Sequence, residues 1–279
     1  MVDATSAMDF ASEAGGSFVP TSDDLDEYLR AYCRMGNHVA RYDLAKKWLS
    51  DGRVLEIGCG YGAGACLLAP SYSEYVGVDA DPAAINWARR NVAPTVSHSA
   101  FLTAEEFQAS EMIMGFDCAI AFEVLEHVHQ PRDWIGNLIL STRPGGFVIL
   151  STPNGASSRH QRTLFRTSFH IDEYDIHELE QLLTGSGRDY LYFKERRVDW
   201  MDVVTLRRRA AHSRKNPAAE SDSESFFNKI LRIAFRHLNG RRWWTINPAI
   251  PQSMASLDYS SIVVRFTVEK PNNSTQDSR

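Results

Sequence analysis

Long hydrophobic runs are missing from this chain. Although 43% of its residues are hydrophobic, no stretch approaches the ~20 consecutive apolar residues that a membrane-spanning helix needs. Cysteine is scarce: Cys33, Cys59, Cys66 and Cys118 are the only four. Their spacing fits neither a zinc module nor a disulfide framework, so they read as reduced thiols in a cytosol. Basic excess is absent too. Thirty Lys and Arg face 35 Asp and Glu, a net charge of −5, which argues against a general nucleic-acid binder. Residues 1–23 lack the basic and apolar regions of a secretory signal, and the expected location is cytoplasmic. What is present is ordinary for a globule: 279 residues, 23% charged, enough for one well-cored domain and an appendage.

The most informative stretch is residues 54–64. Val54, Leu55, Glu56 and Ile57 read as a buried parallel strand, which breaks into Gly58, Gly60, Gly62 and Gly64 before the helix-like apolar run at 63–69. Glycine belongs where backbone turns sharply beside a ligand, and the first amides of the next helix favour negative groups. Gly58, Gly60 and Ala63, with Asp79 about 20 residues on, satisfy the dinucleotide fingerprint. Glu56 points elsewhere. A carboxylate at the strand end repels a pyrophosphate but suits a cationic ligand such as S-adenosylmethionine, with its ammonium and sulfonium.

Glu56, Gly58, Gly60 and Gly62 form the Glu/Asp-x-Gly-x-Gly-x-Gly motif, and over residues 28–195 the chain resembles the class I S-adenosylmethionine-dependent methyltransferases. Further motifs follow in order: Glu123-x-x-Glu126-His127, then Pro144-Gly145-Gly146, then a strand ending in Thr152-Pro153-Asn154. That series is similar to the ubiquinone-type and the glycan and natural-product O-methyltransferases, and a plain dehydrogenase would not carry it. The resemblance implies an α/β fold, a Rossmann-like doubly wound sheet of about seven strands with an antiparallel C-terminal edge pair, plus an inserted helical segment. It implies S-adenosylmethionine bound by Glu56, Gly58, Cys59, Gly60, Asp79, Ala80, Phe122 and Glu123, with Asp79 on the ribose hydroxyls.

Along the chain, residues 1–22 read as a disordered N-terminus and 23–198 as the methyltransferase core. Residues 23–49 have helical spacing with a break near Gly36; Tyr28, Tyr32, Arg34 or Arg41 could line a lid, or simply pack. Residues 75–78 are the second strand, Asp81 caps the helix that Pro82 opens, and 95–98 read as a third strand. The family often carries an adenine-binding acid after that strand, whereas Ser99-Ala100-Phe101 has none. Residues 116–122 form a strong fourth strand, 134–141 a helix, 147–151 the fifth strand and 174–183 a helix. Residues 190–193 begin a sixth strand and 260–270 hold the last strand of the core, ahead of a disordered tail at 271–279. Between them, 199–259 form an insertion: a charged, disordered part at 207–224 and an amphipathic helix at 226–238, followed by Trp243-Trp244. That helix is either a cap on the core or, through the 226–244 segment, a peripheral membrane or acidic-partner contact.

Methyl transfer from a sulfonium needs an aligned nucleophile and, for a hydroxyl, removal of its proton. Glu123, Glu126 and His127 stand at i, i+3 and i+4 and would share a face of a helical turn at the catalytic edge of the sheet. His127 with Glu126 are the catalytic candidates; Tyr28, Tyr32, Asn154 and His170 are the candidate substrate contacts. A divalent ion such as Mg, Mn or Zn on Glu123, Glu126, His127 and His170 is the competing route, and a third is that the stretch is only cofactor wall and helix start. The reading is an O-methyltransferase acting on a small-molecule hydroxyl, of a sugar or a phenol. Its alternatives are N-methylation of a small molecule and 3′-terminal 2′-O-methylation of RNA, whose enzymes carry a similar Glu-x-x-Glu-His. For RNA, residues 188–215 hold nine Lys and Arg against four Asp and Glu, which could follow phosphates. Against it, the loop at 155–169 offers only Phe165 and Phe169 for stacking a base.

Overall fold

The computed structural model describes residues 18–110, 114–157, 170–198, 243–249 and 261–269. The expectations for 207–224, for the helix at 226–238 and for most of the loop at 155–169 lie outside those residues. Two helices precede the sheet, α1 (Leu25–Tyr32) and α2 (Gly36–Ala45). Asp24 starts α1 by accepting the Glu27 amide at 3.0 Å, and the break between them falls at residues 33–35. Residues 18–22, expected in the disordered N-terminus, are placed: the Phe18 ring lies 6.0 Å from Tyr28 and 6.4 Å from Tyr32, and Ser22 donates to Glu27 at 2.8 Å. An aromatic residue ahead of an aromatic helix face buries more area than a disordered tail would.

The strands are β1 (Gly52–Ile57), β2 (Tyr72–Asp79), β3 (Ser99–Thr103), β4 (Phe116–Phe122), β5 (Thr142–Pro153), β6 (Arg188–Val198), β7 (Trp243–Ala249) and β8 (Ser261–Thr267). They form one sheet in the order β3-β2-β1-β4-β5-β8-β6-β7. The first five are parallel; β8 runs antiparallel between β5 and β6, and β7 antiparallel outside β6. The remaining helices are α3 (Ala63–Leu68), α4 (Pro82–Asn91), α5 (Ala104–Gln108), α6 (Pro131–Ser141) and α7 (Ile176–Leu183). Strand alternation splits the core in two. Leu55, Ile57, Val76, Ala119 and Val148 face α5, α6 and α7, while Val54, Tyr75, Cys118 and Ile120 face α1 to α4. Asp81 caps α4, accepting the Ala83 amide at 2.8 Å.

Two strands depart from the sequence reading. The third is Ser99–Thr103, after the expected 95–98, because His98 takes a left-handed φ of 58° and only then does the chain pair with β2. The acids that follow it are therefore Glu105 and Glu106, and Glu106 closes the capping box of α5 and pairs with Arg89. The second departure is β7, an eighth strand where an insertion was expected. Pro248 sits in it opposite Phe193, which an outermost strand tolerates because one of its edges has no ladder to complete. Among the described residues no helix is long and apolar enough to cross a membrane.

Candidate active site

The sheet order reverses between β1 and β4, and open α/β sheets bind ligands beyond the carboxyl ends of the strands at such a point. A cavity of about 300 Å³ lies there, at the low end of ligand-pocket volumes. Its floor is Gly58, Cys59, Gly60 and Tyr61 after β1; one wall is Phe122, Glu123, Glu126 and His127 after β4, with Pro153 and His170. Its roof is Phe18, Tyr28, Tyr32, Met35, His38 and Tyr42.

The floor is shaped by its glycines. Gly58 has φ 76°, which L side chains rarely adopt, and its amide is clipped to the Val78 carbonyl at 2.8 Å. A Cβ on Gly64 would come 2.0 Å from a Glu56 carboxylate oxygen, so only glycine lets α3 lie over that acid. Asp79, at the end of β2, accepts the Gly60 amide at 2.7 Å and the Asp81 amide at 2.9 Å. Burial raises its pKa, and its carboxylate braces the loop. Asp79 and Ala80 do not line the cavity.

Glu56 is also not on the wall. Alternation turns it toward the α2 and α3 layer, where it is 1% exposed and accepts hydrogen bonds from Tyr42 at 2.5 Å and from Tyr75. Burial pushes its carboxyl up to about 7, against those two hydrogen bonds, which favour the charged form. The structure thus gives this acid a sealed pair of phenols in place of an open approach to a cation.

The Glu-x-x-Glu-His segment does not form the expected α-helical face. Residues Leu125–His127 make a single 3-10 turn, and Glu123 has a left-handed φ of 56°. That conformation points its carboxylate back into the fold, where it accepts Ser151 Oγ at 2.8 Å and pairs with Arg41 at 3.4 Å. Arg41, expected as a lid residue, is 1% exposed. It grips Glu195 of β6 through Nε at 2.5 Å and Nη2 at 2.9 Å, bolting α2 to the antiparallel strands. Glu126, His127 and His170 do converge: their ligand-type atoms lie within 4.8 Å of one another. The two imidazoles meet edge to face at 5.1 Å. Glu126 is buried, accepts Thr152 Oγ1 at 3.2 Å, and is held well above the usual carboxyl range by burial and by the Glu123 charge.

Of the expected substrate contacts, Tyr28, Tyr32 and His170 line the cavity. Asn154 is fully buried and accepts the Ala156 amide at 3.2 Å, outside the lining. His38 was missed by sequence reasoning. It hydrogen-bonds Tyr32 Oη through Nδ1 at 3.3 Å, and burial, aided by the Arg41 charge, holds its pKa down at about 4. Its one signal was position: three residues before Arg41 and four before Tyr42, on the face of α2 that covers the loop.

The described lining holds two carboxylates and three imidazoles and no Lys or Arg, a donor set that suits a cationic ligand and opposes a pyrophosphate. With this sheet order and loop, the molecule has the fold of the class I S-adenosylmethionine-dependent methyltransferases. A family model described as a methyltransferase domain matches residues 25–192, and the chain belongs to that family. It is 33% identical over 105 residues to the mitochondrial ubiquinone biosynthesis O-methyltransferase of Schizosaccharomyces pombe, covering 37% of this chain and 38% of that one. It is 34% identical over 108 residues to the ubiquinone biosynthesis O-methyltransferase of Alkalilimnicola ehrlichii, covering 38% and 43%. The chain thus spans less than half the length of these two relatives. A SAM-dependent methyltransferase structure from Thermotoga maritima superposes with a TM-score of 0.54 at 14% identity, covering 88% of this chain and 96% of that one; a likeness this distant speaks to the fold alone.

Proposed function

We propose that this protein transfers a methyl group from S-adenosylmethionine to a hydroxyl of a small molecule, a phenol or a sugar. The observation that carries the reading is the pair of imidazoles, His127 and His170, on the cavity wall beside buried Glu126. A hydroxyl must lose its proton to become a good nucleophile, and an imidazole is the side chain best matched to that task near neutral pH. The two ubiquinone relatives, O-methyltransferases by name, support the hydroxyl. Bound S-adenosylmethionine would supply a methyl carbon on a positively charged sulfur, the carbon–sulfur bonding pair remaining on sulfur as the acceptor oxygen takes the carbon. Gly58, Cys59, Gly60, Phe122 and Glu123 are the lining residues that would hold it, with Asp79 bracing the loop and available to the ribose. The roof aromatics Phe18, Tyr28 and Tyr32 exclude water and suit a flat acceptor.

The test is release of S-adenosylhomocysteine against a panel of phenols, sugars and amines. Hydroxyl compounds should be the productive acceptors, and replacing both His127 and His170 by Ala should lower turnover by roughly 10²–10⁴. Turnover with amines alone would overturn the hydroxyl reading. A second reading is favoured by the convergence of Glu126, His127 and His170 within 4.8 Å, a spacing a divalent ion can bridge. It predicts that a chelator silences the enzyme and that Mg or Mn restores it. Glu123 would take no direct part in such a site, since its carboxylate is engaged with Arg41 and Ser151.

A further inference from the structure

A chain of polar side chains runs from the roof of the cavity to the acid beneath the glycine loop. Glu56 accepts from two phenols, Tyr42 at Oε1 and Tyr75 at Oε2. A phenol has one proton, so Tyr42 Oη has none left to give. Tyr32 stands within hydrogen-bonding reach of Tyr42, and Tyr32 Oη lies 3.3 Å from His38 Nδ1. The charged end of such a chain orders the protons along it. Two phenol oxygens with no proton between them would repel, so the Tyr32 proton points to Tyr42. By the same argument, the proton between Tyr32 and His38 belongs to Nδ1. Partial burial and the Arg41 charge, against the pull of Glu123, hold the His38 pKa down at about 4. The ring is therefore uncharged at neutral pH and carries that one proton only, which leaves Nε2 a bare lone pair. His38, Tyr32 and Tyr42 line the cavity. Among the described residues, the only hydrogen bond of the His38 ring is the one at Nδ1.

We infer that His38 is a specificity residue for the methyl acceptor, its Nε2 accepting a hydrogen bond from a second hydroxyl that is not itself methylated. The inference rests on the methyl-transfer reading and deepens it by naming the acceptor class, a molecule with at least two hydroxyls. A lone pair covered by a ligand that has no donor for it loses its water without replacement. A site built to hydrogen-bond a ligand hydroxyl therefore rejects the analogue that lacks one. His38 takes no proton from the reacting oxygen in this scheme; that task stays with the wall. Tyr32, Tyr42 and Glu56 act through His38, fixing which nitrogen carries the proton. The edge-on packing of the Tyr32 ring, 5.5 Å from the His38 ring at 69°, limits the angles the imidazole can take.

Two readouts test this on the full chain at pH 8, above the Glu56 value of about 7. Long-range 15N NMR of histidine-labelled, cofactor-free protein, with His38→Phe to assign the signals, should show His38 protonated at Nδ1 and bare at Nε2. Tyr42→Phe should erase that preference. For turnover, the probes are the three dihydroxybenzenes and methyl glucoside, each against its monomethyl ethers. In wild type at least one of these compounds should have a KM about 10- to 100-fold below that of its ether. His38→Phe should bring the two KM values together, and His38→Gln, whose carbonyl can accept, should restore part of the gap. Affinity for S-adenosylhomocysteine should stay as in wild type in both variants. A His38 protonated at Nε2, a wild type indifferent to the ether, or a gap that survives in His38→Phe would overturn the inference. An equal rise in KM for compound and ether would make His38 merely structural, which also overturns it. Wild type inactive on every hydroxyl would defeat the methyl-acceptor reading instead, while the proton placement on His38 would still decide the order of the chain.

Discussion

Glu56 is buried and His38 half-buried on neighbouring elements, and their titrations oppose one another. Folded Glu56 binds its proton more tightly than the unfolded chain does, with a pKa near 7 against 4.5. Its contribution to stability is therefore present in full below pH 4.5 and lost as pH rises through about 7. Folded His38 holds its proton more weakly, near 4 against 6.5, so its contribution is present above pH 6.5 and lost as pH falls through about 4. Each window is worth on the order of 3 kcal/mol. Relative to wild type, Glu56→Gln should gain stability progressively as pH rises across the first window, and His38→Asn as pH falls across the second. Urea titrations over that range read both; variant curves parallel to wild type would contradict the burial that causes the shifts. Arg41 is a third residue of this kind. Arg41→Met strands the Glu195 and Glu123 charges and should cost about 3–5 kcal/mol, whereas the double variant with Glu195→Leu should recover part of it. Equal losses in the single and the double variant would mean that the pair does not act as a unit.

Among the elements, legibility followed the strength of the local pattern. β4 was readable to the residue because Phe116–Phe122 is nearly all apolar, as a strand buried on both faces must be. β3 was displaced, since it is short, only Phe101 in it is fully buried, and its start depends on the positive φ of His98. β7 was missed altogether: the two tryptophans that open it read as the end of an interfacial segment, and only pairing with β6, a contact distant in sequence, makes residues 243–249 a strand. The same holds for the site. The glycine loop is local, so its backbone role could be seen in the sequence. Glu56 and Glu123 could be named but not aimed, because alternation and one left-handed φ decide where their carboxylates go. β7 packs against α2, which carries His38 and Tyr42 into the roof. Excising residues 207–224 should therefore leave affinity for S-adenosylhomocysteine unchanged, while unpairing β7 with Ile246→Asp should weaken it by loosening α2. Calorimetry on both variants checks this, and loss of binding in the excision variant would make that segment part of the pocket.

For the molecule as a whole, a parallel sheet supplies the crevice, two N-terminal helices cover it, and the antiparallel strands anchor the second of them, α2, through Arg41 and Glu195. The central claim is that this crevice is built for S-adenosylmethionine and not for a dinucleotide. The described lining carries acids and imidazoles without a cation, and Asp79 stands at the end of β2 holding the Gly60 amide. The first feature favours a sulfonium nucleoside over a pyrophosphate; the second serves the ribose of either nucleoside. The most direct test is isothermal titration of S-adenosylmethionine, S-adenosylhomocysteine and NADH into wild type and Asp79→Ala. The account predicts micromolar-class binding of the first two, weakened by about 1.5–3 kcal/mol in the variant, and no comparable binding of NADH. Tighter binding of NADH, or sulfonium-cofactor affinity untouched by Asp79→Ala, would contradict it.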